Sequence, residues 1–183
     1  MRSSRRVGAD LWLGFADAEP GWPLLAGSRL VIDRHASRRA ERVAVAASGL
    51  AAGGYAASRS HTQGMGAAAV VPAGVRVGVD VVLIKRVSER HAAAILSGAE
   101  WEALAPVGAL RPALAWGLKE AAAKGTGAPG QCFPFGVRIA QGPGGLEVRA
   151  MGIRFTAGWM QLGAMLFVWV RETATCLPWR MDG

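Results

Sequence analysis

A single acid interrupts the apolar run Val77-Gly78-Val79-Asp80-Val81-Val82. The run alternates with the two-residue period of a strand, which sets Asp80 and Val82 on one face. Further along, Trp116, Glu120 and Lys124 recur at i, i+4 and i+8 and therefore share one face of a helix. Leu114, Leu118 and Ala121 lie on the opposite face, available for packing. A strand thus offers one carboxylate, and a helix offers a second with a lysine one turn on. Two hard oxygen ligands beside a phosphate-binding cation are what a magnesium-assisted reaction at phosphate requires. Each piece also has a plainer use. A lone strand aspartate is more often an edge residue, and a Glu–Lys pair on a solvated helix is worth only about 0.2–0.5 kcal/mol. Burying Asp80 is costly unless a metal or a hydrogen-bond network compensates it.

Order and spacing add weight. Ser60-His61-Thr62 precedes the Asp80 strand, separated from it by the apolar residues 67–71 and the turn Pro72-Ala73-Gly74. The pair formed by V-G-V-D and the later W-x-x-K-E-A-x-x-K resembles the signature of the 4'-phosphopantetheinyl transferases, and the Ser-His-Thr element resembles one carried by the long members of that family. The resemblance implies transfer of phosphopantetheine from coenzyme A to a serine of an acyl or peptidyl carrier protein, the holo-acyl-carrier-protein synthase activity. It implies Asp80 and Glu120 as ligands of Mg2+, with Glu120, Asp80 and Lys124 as the catalytic set. It implies cofactor contacts from Ser60, His61, Lys119 and Lys124, and from Arg38 and Arg39 at the phosphates of coenzyme A. The chain also departs from the family's pattern. Val82 and Leu83 stand where relatives carry a further acid. A weakened homologue that binds coenzyme A or carrier protein without efficient turnover is therefore the alternative.

At 183 residues and 51% hydrophobic content the chain can bury a real core, and its 25 glycines make it loop-rich rather than disordered. The net charge of +8 and the isoelectric point near 10.9 favour an anionic partner. Phosphorylated cofactor and an acidic carrier protein account for that charge, and no nucleic-acid motif or basic-aromatic platform points to DNA or RNA. Cys132 and Cys176 form neither a metal spacing nor a disulfide framework, as expected of free thiols in the cytoplasm. The most apolar segment, residues 163–170, is too short to span a bilayer and is expected to be a buried strand.

The elements that must position these residues follow. Residues 9–16 predict a first strand, 19–23 a turn, 24–32 a helix or an extended segment, and 33–53 a helix ending in glycines. Residues 85–90 open a charged helix. Ser97 with Glu100 forms a capping box, and Pro112 suits the first turn of the helix bearing Glu120. After Gly127 the composition turns to strands over 133–139, 146–155 and 159–170, an antiparallel meander; Gly158-Trp159 matches the pair that opens a strand in the family. No β-α-β alternation or glycine fingerprint supports a Rossmann fold. The expected class is α+β: two similar halves, residues 1–75 and 76–183, each a small antiparallel sheet with a helix, in a monomeric pseudo-dimer.

Overall fold

Two antiparallel sheets each carry a long helix. The computed structural model describes residues 2–7, 10–17 and 29–173. The first part holds strands β1 (Arg2–Val7) and β2 (Leu11–Asp17), helix α1 (Arg29–Ser48), and strands β3 (Tyr55–Thr62) and β4 (Met65–Pro72). Then come β5 (Val77–Leu83), α2 (Glu89–Ile95), α3 (Gly98–Ala103), α4 (Arg111–Gly125) and α5 (Pro129–Cys132). Strands β6 (Val137–Gly142), β7 (Gly145–Ala150), β8 (Ile153–Leu162) and β9 (Met165–Glu172) complete the second part. The sheet orders are β1-β2-β4-β3 and β5-β9-β8-β7-β6. The α+β class with two helix-bearing antiparallel sheets is thus the one expected.

The inner faces of the sheets meet in a shared core. Leu11, Leu13 and Phe15 of β2 and Ala67, Ala69 and Val71 of β4 pack with Val77, Val79 and Val81 of β5 and Phe167 of β9. Phe15 and Phe167 meet edge to face at 4.9 Å between ring centroids. The period of two that directs the odd-numbered residues of β5 into this core turns Gly78, Asp80 and Val82 toward α4.

Glycine sets how closely helix and sheet approach. A Cβ on Gly78 would lie 1.8 Å from the Ala121 carbonyl oxygen, so no larger residue fits where β5 crosses α4. The first half uses the same device. A Cβ on Gly14 would lie 2.0 Å from the Ala40 carbonyl oxygen of α1, and one on Gly66 would lie 2.3 Å from the Ala36 backbone.

The sheets are joined edge to edge by side chains. Val79 N–H donates to Ser58 Oγ at 3.1 Å, and Val81 N–H donates to Ser60 Oγ at 3.3 Å. Both pairs advance in the same direction, so β3 and β5 run parallel here, with hydroxyls in place of carbonyls as acceptors.

Ser97 and Glu100 form the expected capping box on α3, Ser88 and His91 form another on α2, and Pro112 lies in the first turn of α4. Strands β6 to β9 form an antiparallel meander with one strand more than expected, because turns at 151–152 and 163–164 split the segments 146–155 and 159–170, and the apolar segment at 163–170 supplies that second turn and most of β9. Three further details differ from expectation. Strand β1 occupies the basic N-terminal stretch; its exposed, arginine-bearing edge pairs with β2 and carries no core pattern to reveal it. Ser-His-Thr, to which the sequence assigned no element, lies within a strand. Gly158-Trp159 falls in the middle of β8 instead of opening a strand, and Gly158 makes room there for the Trp169 ring. The turn expected at 19–23, most of the segment 24–32 and Cys176 lie outside the described residues; helix begins at Arg29. Among the described residues no helix is long and apolar enough to cross a membrane.

Candidate active site

Helix α4 is surrounded by protein, and its one open stripe defines the site. From Pro112 to Gly125 every residue is buried except Trp116, Glu120 and Lys124. From Pro112 onward, among the described residues, the i, i+4, i+8 face is thus the side of this helix left partly open to solvent. Asp80, 7% exposed on the β5 face turned toward α4, stands beside it.

Lys124 Nζ lies 2.7 Å from Asp80 Oδ1, 3.3 Å from Ser60 Oγ and 3.4 Å from the Val79 carbonyl oxygen. Ser60 Oγ donates to the same Asp80 Oδ1 at 2.7 Å. One oxygen of Asp80 is thus held by two donors while Oδ2 accepts none. Glu120 has no hydrogen-bond partner among the described residues. Burial, and then the negative charge of Asp80, push its carboxyl above the ordinary value, with Lys124 opposing them. A cavity of about 280 Å³ opens beside these groups, lined by Thr62, Asp80, Val82, Leu83, His91 and Trp116. Trp116 braces its wall by an edge-to-face contact with Phe133 at 5.2 Å.

The other face of β3 carries a second hollow. Alternation places Arg59 and His61 opposite Ser58 and Ser60, and Arg59 and His61 join Ser37 and Arg38 of α1 around about 300 Å³. Arg59 also pairs with Glu41 at 3.1 Å.

In this geometry three of the residues expected at the cofactor are engaged by the protein itself. Lys119 is fully buried. Its ammonium spends all three protons on Glu100 Oε1 at 2.8 Å and on the carbonyls of Val137 and Pro134 at 2.8 and 3.3 Å, so none is left for a ligand. Ser60 faces Asp80 rather than the hollow lined by His61. Arg39 is buried and donates to the Asp17 carbonyl at 2.7 Å, one helix position round from the exposed Arg38. Arg59 and Thr62 are the residues the sequence reading did not single out. The alternation of Ser-Arg-Ser-His-Thr was the available signal: it sorts Arg59 with His61, and Thr62 with Ser60.

Residues 76–144 match the family model described as ACPS, 4'-phosphopantetheinyl transferase superfamily. The matched stretch runs from β5 to the β6–β7 turn and contains Asp80, Glu120 and Lys124, so over this segment the chain is similar to that superfamily. Ser60, His61 and Arg59 of β3 and Arg38 of α1 lie outside it, in the first part of the fold. Among curated proteins the chain finds no match. The match supports phosphopantetheine transfer as the general chemistry.

Proposed function

We propose that the protein transfers 4'-phosphopantetheine from coenzyme A to a serine of an apo acyl or peptidyl carrier protein, releasing 3',5'-ADP, as a monomer in the cytoplasm. The observation that carries this reading is the gathering of Glu120 and Lys124 around Asp80, which itself lines the cavity, within the segment that matches the superfamily model. The halves 1–75 and 76–183 then have distinct tasks, cofactor phosphates in the first and the reacting centre in the second.

The carboxylates fit Mg2+. Among the described residues Oδ2 of Asp80 accepts no hydrogen bond and Glu120 has no hydrogen-bond partner, and each raises the other's demand for a cation. Among the described residues no group of three His, Cys, Asp or Glu side chains gathers here. Water and substrate oxygens would complete the coordination, as suits an ion that keeps several waters. When bound, Mg2+ supplies charge neutralisation for the pyrophosphate of coenzyme A and its leaving group.

The chain's own residues do the rest. Lys124 brings a cation to the phosphate oxygens next to Asp80. Arg38, Arg59 and His61, on the far face of β3, hold the phosphorylated nucleotide end. The carrier serine hydroxyl attacks the β-phosphorus, and a serine–phosphate ester forms as the bond to the α-phosphate oxygen breaks. The electron pair leaves with 3',5'-ADP, and the hydroxyl proton passes to Glu120. The walls of Val82, Leu83 and Trp116 limit water around that transfer.

Val82 favours the second reading. Buried on the same face as Asp80, it leaves the metal set with two carboxylates, as in a homologue that binds coenzyme A with little turnover. Intact mass of an apo carrier protein incubated with the protein, coenzyme A and Mg2+ separates the two. A gain of one phosphopantetheine, abolished by EDTA, is the expected result. Coenzyme A binding without any mass gain across fatty-acid, polyketide and nonribosomal-peptide carriers would replace the transferase with the binder.

A further inference from the structure

Ser58 and Ser60 make nearly the same contact across the junction of the sheets, with one difference. Each hydroxyl accepts a backbone N–H of β5, from Val79 and Val81 respectively, and each serine is at least nine-tenths buried. Only Ser60 goes further. By accepting from Val81 N–H its Oγ commits a lone pair to β5, which leaves its single proton to be donated to Asp80 Oδ1 at 2.7 Å. Lys124 Nζ lies 2.7 Å from that same Oδ1. The two donors hold one carboxylate oxygen, and Oδ2 is the oxygen left over.

We infer that Ser60 is a positioning residue for the metal site: contributed by the first half of the molecule, it fixes the rotation of Asp80 so that Oδ2 is presented to the cation. The inference rests on the reading of Asp80 as a metal ligand. It assigns the serine of the Ser-His-Thr stretch to the carboxylate and leaves the neighbouring histidine to the phosphate hollow. A single strand therefore serves both ends of the cofactor, one from each face. The metal ligands lie in one half of the chain and the group that orients one of them lies in the other, so a metal-competent site needs both halves packed together. Without Ser60 the carboxylate would keep only Lys124 as an anchor on Oδ1. It could then turn either oxygen, or neither, toward the site.

The test is Mn2+ binding in place of Mg2+, followed by electron paramagnetic resonance of the free ion with coenzyme A present. It is run on the full chain and on Ser60→Ala, Ser60→Thr, Ser58→Ala and Asp80→Ala. Loss of an orienting partner behind a ligand typically weakens metal affinity about 10- to 100-fold. Ser60→Ala is expected to show that loss, Ser60→Thr to recover most of it by restoring the hydroxyl, and Ser58→Ala to bind Mn2+ like the unaltered protein. The melting temperature of both alanine variants is expected to fall through the lost N–H acceptor at the junction, with Ser60→Ala falling further because it also loses the hydrogen bond to Asp80. Equal Mn2+ affinity in Ser60→Ala and the unaltered protein, with loss in Asp80→Ala, would overturn the inference and leave the metal site standing. Equal weakening in Ser58→Ala and Ser60→Ala would also overturn it, showing a general loosening of the junction. Binding unaffected by Asp80→Ala would overturn the metal-site reading itself, and the inference with it.

Discussion

Glu120 sits where folding and chemistry pull in opposite directions. Burial, with the charge of Asp80, raises its carboxyl pKa above the ordinary 4.5. The fold therefore favours the neutral form. That preference counts in full below the unfolded value and is lost as the pH rises through the folded one. Wherever the pH lies above that folded value, a protein without a cation carries an ionised carboxylate that it disfavours. Glu120→Gln is thus expected to raise the melting temperature in EDTA while lowering kcat by roughly 10²–10⁴-fold, the usual worth of a general base. A variant that melts lower in EDTA, or that turns over normally, would remove Glu120 from both roles. Asp80→Asn has a different expected signature. It releases Lys124 and Ser60 from their shared acceptor, so turnover falls and the melting temperature does not rise.

At the scale of elements, α4 is fixed from two sides by contacts with no tolerance. On the β5 side, Gly78→Ala drives a methyl into the Ala121 carbonyl at 1.8 Å. The expected cost is about 3 kcal/mol, the upper part of the range for overpacking, measurable by urea unfolding. On the opposite side Lys119 is held by Glu100, whose carboxylate also accepts from the Ser97 and Ile139 N–H groups. Removing one partner strands the other charge, so Lys119→Ala should cost about 3–5 kcal/mol. Pairing Lys119→Met with Glu100→Gln should recover much of this, because the amide oxygen can still accept from Ile139 N–H. Burial alone would raise the Glu100 pKa, but the hydrogen bonds from Lys119 and Ser97 outweigh it and the net shift is below 4.5. The stability this lends is complete above that value and is lost as the pH falls through the folded one. Acid should therefore lower the urea midpoint of the unaltered protein more than that of the double variant.

At the scale of the whole molecule, the charge of +8 bears on encounter rather than on fold. Arg38, Arg42 and Arg59 surround a hollow of about 450 Å³ against α1, continuous in residues with the one that holds His61. An acidic carrier would be drawn to this side of the molecule. Raising salt from about 0.05 to 0.5 M is expected to lower kcat/KM by about tenfold with little change in kcat, because screening acts on association. Stopped-flow association with a carrier protein checks this directly. An association rate indifferent to salt would place the docking surface elsewhere.

The sequence by itself determined what is periodic and local. The two-residue alternation around Asp80 and the four-residue spacing of Trp116, Glu120 and Lys124 state which side chains share a face. Ser97-x-x-Glu100 and Pro112 state where helices start. The two motifs together carry the family resemblance, and the α+β class follows from strands and helices that do not alternate. Tertiary structure decided everything that depends on who faces whom. Lys119 and Lys124 are both lysines of one motif, yet α4 is enclosed on every side but one, so one ends on Glu100 and the other on Asp80. Arg38 and Arg39 differ by one helix position, about 100° of rotation, which is enough to part a solvent-facing guanidinium from a buried one. Ser60 and His61 are neighbours in sequence but occupy opposite faces of β3, and only the docking of that strand against β5 brings the serine to the aspartate. Local pattern fixes the direction of a side chain relative to its own backbone. Packing between distant segments fixes what it meets there, and for this site that partner comes from the other half of the chain.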